Sequence, residues 1–114
     1  MDASQSTVLA VLAHALVQNG QPGRAATLLE ALDVLEPGKP ATLRSLAVAQ
    51  IRAGKPDKAL RTLDRLAMAG AGDDCFHLLR AEALVALSRP LEASMAMNAF
   101  VQMRARGSAA GSAP

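Results

Sequence analysis

Apolar residues recur along this chain at steps of three and four, and the pattern repeats every 34 residues. Three similar stretches mark the period, namely GQPGRA from Gly20, GKPDKA from Gly54 and SRPLEA from Ser88. Steps of three and four put side chains on one face of an α-helix. A fixed period of this length is typical of repeat architectures, so each period predicts a pair of amphipathic helices joined by a short turn.

The recurring Gly/Ser-x-Pro motif predicts the turn between the two helices. Gly20 and Gly54 are expected to end a first helix, because glycine readily adopts the left-handed conformation required there. The proline that follows suits the first turn of the second helix, where a missing N–H has no effect. Ser88 replaces the glycine in the third copy, which predicts a less tight turn.

Overlaying the copies from Ser6, Pro40 and Asp74 gives repeats at 6–39, 40–73 and 74–106 within a domain of residues 1–106. The segment 107–114, GSAAGSAP, is low in complexity and is predicted to be a disordered tail. A 34-residue helix-turn-helix period with small residues at Ala13, Ala25 and their equivalents resembles the tetratricopeptide repeat (TPR). The resemblance implies an all-α fold of three tandem units, forming a short right-handed solenoid with a concave groove lined by the first helices.

Composition agrees with closely packed helices in a soluble chain. Hydrophobic residues make up 51% of the sequence and aromatic residues only 2%, so the core must consist of Ala, Leu, Val and Met. The net charge of +2 is too small to indicate nucleic-acid binding. The apolar run from Val8 to Val17 is too short to span a membrane, and the single cysteine fits a reducing compartment. These features predict a cytosolic protein.

The sequence offers little that could support catalysis. It contains no phosphate-binding loop, no nucleophile triad and no paired-cysteine metal motif, so no enzyme activity, cofactor or metal is expected. His14 and His77 lie in different repeats and have no evident partner. Cys75 follows Asp73 and an adjacent acid, which disfavours its thiolate, and we interpret it as a small core residue.

Charged residues on the second helices are interpreted as solvated. Glu30, Asp33 and Glu36 predict a solvated acidic face on the second helix of repeat one. Lys58, Arg61 and Arg65 form a basic row that is expected to pair with acids of its own helix.

The first helices carry the candidate binding site. Its apolar character suits the hydrophobic face of a partner helix, although the same residues could instead fill part of the array's own core. The candidate groove residues are Ala10, His14, Val17, Arg44, Val48, Ile51, Arg52, Leu78, Glu82 and Val85.

The last helix predicts a second apolar surface at Met95, Ala99 and Met103. The final repeat of a solenoid has no neighbour to cover it, so such a surface is left open. It is interpreted as a site for a partner or for homodimerisation of the isolated chain. The alternatives are that the tail covers it or that its exposure is tolerated.

The segment GRAATLLEALDVLEPGK, from Gly23 to Lys39, together with three repeats ending near Arg106, resembles the small TPR chaperones of bacterial type III secretion, most of all the YscY family. This resemblance implies a cytoplasmic bacterial chaperone that forms a heterodimer with a small secreted protein of the YscX type. It also implies association with the cytosolic part of the export gate. The alternatives are a needle-subunit co-chaperone of the same system and a structural adaptor of an unrelated assembly.

Overall fold

Six helices account for the architecture of the described part of the chain. The computed structural model describes the backbone of residues 3–112, and within that range it contains no strand. The helices are α1 (Ala3–Gln18), α2 (Pro22–Leu35), α3 (Pro40–Arg52), α4 (Pro56–Met68), α5 (Asp74–Ala86) and α6 (Pro90–Ser112). Helices adjacent in sequence pack against each other, so the predicted all-α solenoid of helical repeats is confirmed.

The turns inside the three repeats have the same geometry. Gly20 and Gly54 adopt left-handed φ values of 74° and 77°, and Ser88 adopts the same conformation with φ 57°. In the second turn the Lys55 N–H donates to the Gln50 carbonyl at 2.8 Å, and in the third the Arg89 N–H donates to the Leu84 carbonyl at 2.9 Å. The turn at Ser88 is therefore as tight as the others, contrary to expectation, because serine accepts the strained conformation that glycine adopts freely.

Small residues let the paired helices approach closely, and leucines fill the space between them. Ala25, Ala47 and Ala59 have no exposed surface, and Leu63 and Leu66 are likewise fully buried. One cluster of buried residues joins α1, α2 and α3, a second joins α3, α4 and α5, and a third joins α5 to α6. The core thus runs through the array as overlapping layers, as expected for a solenoid.

The first helix of the third repeat has the polar residues His77 and Arg80 and a buried phenylalanine. Phe76 is buried, at the position that Thr42 occupies in repeat two. The half-buried His77 packs edge-on against the Phe76 ring, with ring centroids 5.0 Å apart. Arg80 extends to the edge of α4, where its guanidinium lies 3.7 Å from the Asp64 carboxylate. The two polar residues of α5 therefore occupy the rim of the core.

Helix α6 is longer than the sequence indicated. It continues to Ser112, so the backbone of residues 107–112 is helical where we predicted a disordered tail. Two alanines in this stretch, Ala109 and Ala110, favour helix and extend it from the packed first half of α6. Residues 113 and 114 lie outside the described part of the chain.

Charged residues on the second helices connect neighbouring repeats. Arg65 donates two hydrogen bonds to the Asp33 carboxylate on α2, at 2.6 and 3.0 Å, rather than pairing within its own helix. The Gly38 N–H donates to the same carboxylate at 3.0 Å. These bonds, chiefly that from Arg65, lower the pKa of Asp33. The prediction of purely solvated charges is wrong here, because residues 32 apart in sequence are neighbours in a solenoid.

Glu36 is also bound rather than free in solvent. Its carboxylate pairs with Lys39 and accepts hydrogen bonds of 3.1 Å from the Ser6 hydroxyl on α1. These contacts, with Lys39 contributing most, lower the pKa of Glu36. Glu30 alone of the three acids is exposed. The predicted i to i+4 pairing does occur between Arg61 and Asp57, whose charged groups lie 3.8 Å apart.

Candidate functional site

The first helices of the three repeats form one continuous surface. Helix α3 contacts α1 on one side and α5 on the other, whereas α2 and α4 pack behind them. We call the surface formed by α1, α3 and α5 the first-helix face. All ten groove residues predicted from the sequence lie on these three helices.

A depression between α1 and α3 brings four of the predicted residues together. Its volume is about 310 Å³. The predicted residues that line it are His14, Val17, Val48 and Arg52. Leu29 of α2 forms part of its floor, and the polar residues at its edge include Gln18 and Ser45.

A second depression lies between α5 and α6 and contains two more predicted residues. Its volume is about 510 Å³, and Glu82 and Val85 line it from α5. Helix α6 contributes Met97 and Ser94, which the sequence analysis did not include in the site. The 34-residue register could have identified Met97, because it is the third-repeat equivalent of Leu29 in the first depression.

The other four predicted residues line neither depression. Ala10 is exposed, whereas Arg44, Ile51 and Leu78 are half-buried. Ile51 packs against the core cluster of α3, α4 and α5, as does Val48. The alternative that some groove residues fill the array's own core therefore applies to part of the α3 surface.

Arg44 has a structural contact within the protein. Its guanidinium donates to the Asp73 carboxylate at 3.2 Å, which fixes the linker before α5. Asp73 in turn caps α5 by accepting the Phe76 N–H at 3.0 Å. The Arg44 Nε is buried without a hydrogen-bond partner among the described residues. Arg44 therefore stabilises the junction between repeats two and three as well as lining the face.

The repeat profile decides the family. The tetratricopeptide repeat family matches residues 16–83, which is more than half of the chain. The chain belongs to the tetratricopeptide repeat family. No curated protein sequence matches it significantly.

The TPR array also resembles a solved structure over most of its length. The type III secretion translocator chaperone SycD of Yersinia enterocolitica, crystallised as an alternative dimer, superposes with a TM-score of 0.82. The alignment covers 91% of this chain and 79% of that chain at 21% sequence identity. At this identity the similarity concerns the fold. Among the described residues, no helix is both long and apolar enough to cross a membrane.

The TPR surface contains few groups suited to chemistry. Within the described residues no three His, Cys, Asp or Glu side chains are grouped as metal ligands would be. Burial, followed by the charge of Asp73, raises the pKa of the Cys75 thiol. Because the thiolate is the reactive form, Cys75 is a poor nucleophile in this position. The arrangement is suited to binding through apolar contact.

The predicted second apolar surface is divided in the TPR array. Met95 is exposed and lies with Ala99 in a depression between α6 and the adjoining edges of α4 and α5. Met103 is half-buried beside the start of α5, in a separate depression. The side of α6 that lacks a covering helix instead presents Met97 and Val101, because these are the equivalents of Leu63 and Ala67, which face α5 in the preceding repeat.

Proposed function

We propose that this TPR protein is a cytoplasmic bacterial chaperone of type III secretion that binds an apolar helical segment of a small secreted protein. The observation that carries the proposal is the first-helix face itself. One depression of about 310 Å³ lies between α1 and α3 and another of about 510 Å³ lies between α5 and α6, and each has aliphatic side chains in its lining. An amphipathic helix laid across such a face would bury its apolar side in the depressions.

The similarity to SycD supports the chaperone role. SycD is a translocator chaperone of a type III secretion system, and its fold covers 91% of this chain. The finer assignment is to the YscY type, with a YscX-type client in a heterodimer and a further contact to the cytosolic part of the export gate. Length, repeat number and the segment from Gly23 to Lys39 support that assignment.

The energetics of the proposed complex are those of apolar burial. A client helix covering several hundred Å² of apolar surface gains roughly 25 cal/mol per Å² in gross terms. Ordering of the helix and loss of its free motion offset a large part of this gain. Charged residues at the edges of the face, namely Arg52 and Glu82, would select the orientation of the client rather than supply most of the affinity.

Two other functions differ in the client they require. A needle-subunit co-chaperone would hold the needle protein as a monomer, so recovery of that complex would favour it. A structural adaptor would link proteins that are stable alone, so its partner would remain soluble when this chain is absent. A chaperone client would instead be insoluble or degraded in the same experiment.

Substitution on the first-helix face tests the proposal. We expect Val48→Asp or Leu78→Asp to abolish recovery of the client, because a carboxylate would be buried against its apolar side. Val85→Asp is a third variant with little effect on folding, since Val85 is 66% exposed. The matched control is Met68→Asp on α4, where the methionine is exposed away from this face.

The readout is co-purification of the client with each variant, together with far-ultraviolet circular dichroism. The proposal requires loss of the client with unchanged helical content in the three face variants and full binding by the control. Survival of the complex in all three face variants would contradict it.

A further inference from the structure

At each end of the array, a helix face is uncovered whose equivalents in the inner repeats are buried. Helices α3 and α5 each pack against the second helix of the preceding repeat. No preceding helix covers α1 among the described residues, and no following helix covers α6. The repeat register shows which residues would be buried if the array continued.

The face of α1 equivalent to the buried faces of α3 and α5 is apolar. Val8 and Leu12 are 64% and 48% exposed, whereas their equivalents Thr42 and Leu46 are 7% and 3% exposed. Helix α1 contains no Asp, Glu, Lys or Arg, so a helix packed on it would meet none of these charged side chains. This surface therefore has the character of an interior helix face.

The depression between α5 and α6 has equivalents of the α1 and α2 residues that line the depression between α1 and α3, but it has no equivalent of the α3 residues. Ala13, His14, Val17 and Leu29 of the first depression correspond, 68 residues on, to four residues of the second. Those four residues are Ala81, Glu82, Val85 and Met97. What the second depression lacks is the wall that α3 supplies to the first through Ser45, Val48 and Arg52.

We propose that α1 of a second copy of this chain supplies that wall, so that copies associate head to tail. In this arrangement α1 of one copy packs against α5 and α6 of the other, as α3 packs against α1 and α2. The residues one repeat before Ser45, Val48 and Arg52 are Val11, His14 and Gln18, all on the exposed side of α1. The occupant is a second copy because one chain carries both surfaces, the exposed side of α1 and the open side of α5 and α6. The same packing of a first helix on the preceding repeat occurs twice within the chain, at α3 and at α5.

The register also brings two apolar residues to the same part of the junction. Ala67 and Arg80 line the same depression between α4 and α5. Their equivalents at the new junction are Val101 of one copy and Leu12 of the other, an apolar pair. Glu82 of the first copy would lie opposite His14 of the second, so the charged residue of the open depression meets a group able to pair with it.

Because the contact joins two different surfaces, every assembly keeps one free α1 surface at one end and one free α5 and α6 surface at the other. Such a heterologous contact adds further copies rather than stopping at two. We therefore expect association of the isolated chain that increases with protein concentration. A client helix in the depression between α5 and α6 would compete there with α1 of a second copy.

The test uses two variants, each with one damaged end. Leu12→Glu places a charge on the α1 surface, and Val101→Glu places one on the α6 surface. Both side chains are about half exposed, so the fold should tolerate the changes. Leu91→Glu is the control, because Leu91 is exposed and its equivalent in α4, Asp57, already carries an acid.

Sedimentation velocity of the full chain gives the readout. We expect the unaltered protein and the control to show a weight-average mass that rises with concentration, whereas each end variant alone stays at 11.8 kDa. An equimolar mixture of the two end variants retains one intact junction, and we expect it to form a 1:1 dimer and no larger species.

Three results would overturn the inference. One is an unaltered protein that remains monomeric at concentrations of several hundred micromolar. Another is self-association by one end variant alone, which would indicate a symmetric contact between identical surfaces. The third is a mixture of the end variants that stays monomeric.

Discussion

Replacement of Ser88 by glycine is expected to stabilise the protein. Ser88 has φ 57°, a left-handed conformation that the equivalent residues Gly20 and Gly54 adopt without a side chain. Its hydrogen bonds are already formed, with the Ser88 N–H donating to the Val85 carbonyl at 3.0 Å. Ser88 is also exposed, so loss of its side chain removes little packing. The substitution therefore acts on the backbone alone.

Two opposing terms set the size of the effect. A residue with a Cβ atom loses about 1–2 kcal/mol in the left-handed region. Glycine costs roughly 0.5–1 kcal/mol through the greater freedom of its unfolded chain. At the midpoints of these ranges, the net gain from Ser88→Gly is about 0.75 kcal/mol. For a domain of this size that corresponds to a rise in Tm of about 2–6 °C.

The reciprocal substitution Gly54→Ser is the matched control. A Cβ atom at Gly54 would have no heavy atom within 4 Å, so the change introduces strain without a clash. We expect it to lower stability by a similar amount, measured by urea and thermal unfolding followed by circular dichroism. If Ser88→Gly were neutral or destabilising, or if Gly54→Ser had no effect, the assignment of strain to Ser88 would be wrong.

Two further substitutions test contacts between helices. Arg65→Ala should cost about 1 kcal/mol at pH 7 by removing the bonds to Asp33. The Asp33 pKa is lowered in the folded state, so the stabilisation by the Arg65–Asp33 pair is present above the unfolded pKa of about 3.8 and is lost as pH falls below it. The urea midpoints of variant and parent should therefore converge below that pH. Thr62→Val should cost about 1–3 kcal/mol, since the Thr62 hydroxyl donates to the buried Gln50 Oε1 at 2.7 Å and valine leaves that oxygen unpaired. The exposed Thr27→Val is its control and should change the urea midpoint by less than a third as much.

The repeat register predicted most of the fold. Glycine and proline at fixed offsets defined the turns, and alanines at fixed offsets defined the close helix contacts. These features are local, so the sequence shows them directly. Pairing across repeats is not local, which is why the contacts of Arg65 with Asp33 and of Ser6 with Glu36 were missed. Their spacings of 32 and 30 residues become short distances only after the helices stack.

The site was predictable only in outline. Periodicity assigns residues to the first-helix face, where His14 and Val48 of adjoining helices line one depression. It could not show that Ile51 packs into the core or that Met97 lines the second depression. Both depend on how far each helix tilts toward its neighbour. The open end of α6 was assigned to Met95 rather than to Val101 for the same reason.

Cross-linking in the native host shows whether the first-helix face holds a small secreted client. A photoreactive amino acid at Val48 lies on the proposed site, and one at the exposed Arg61 on α4 lies away from it. We expect irradiation to link one small exported protein at a fixed ratio from position 48 and not from position 61. Cross-links from position 61 alone, or to large stable assemblies only, would contradict it.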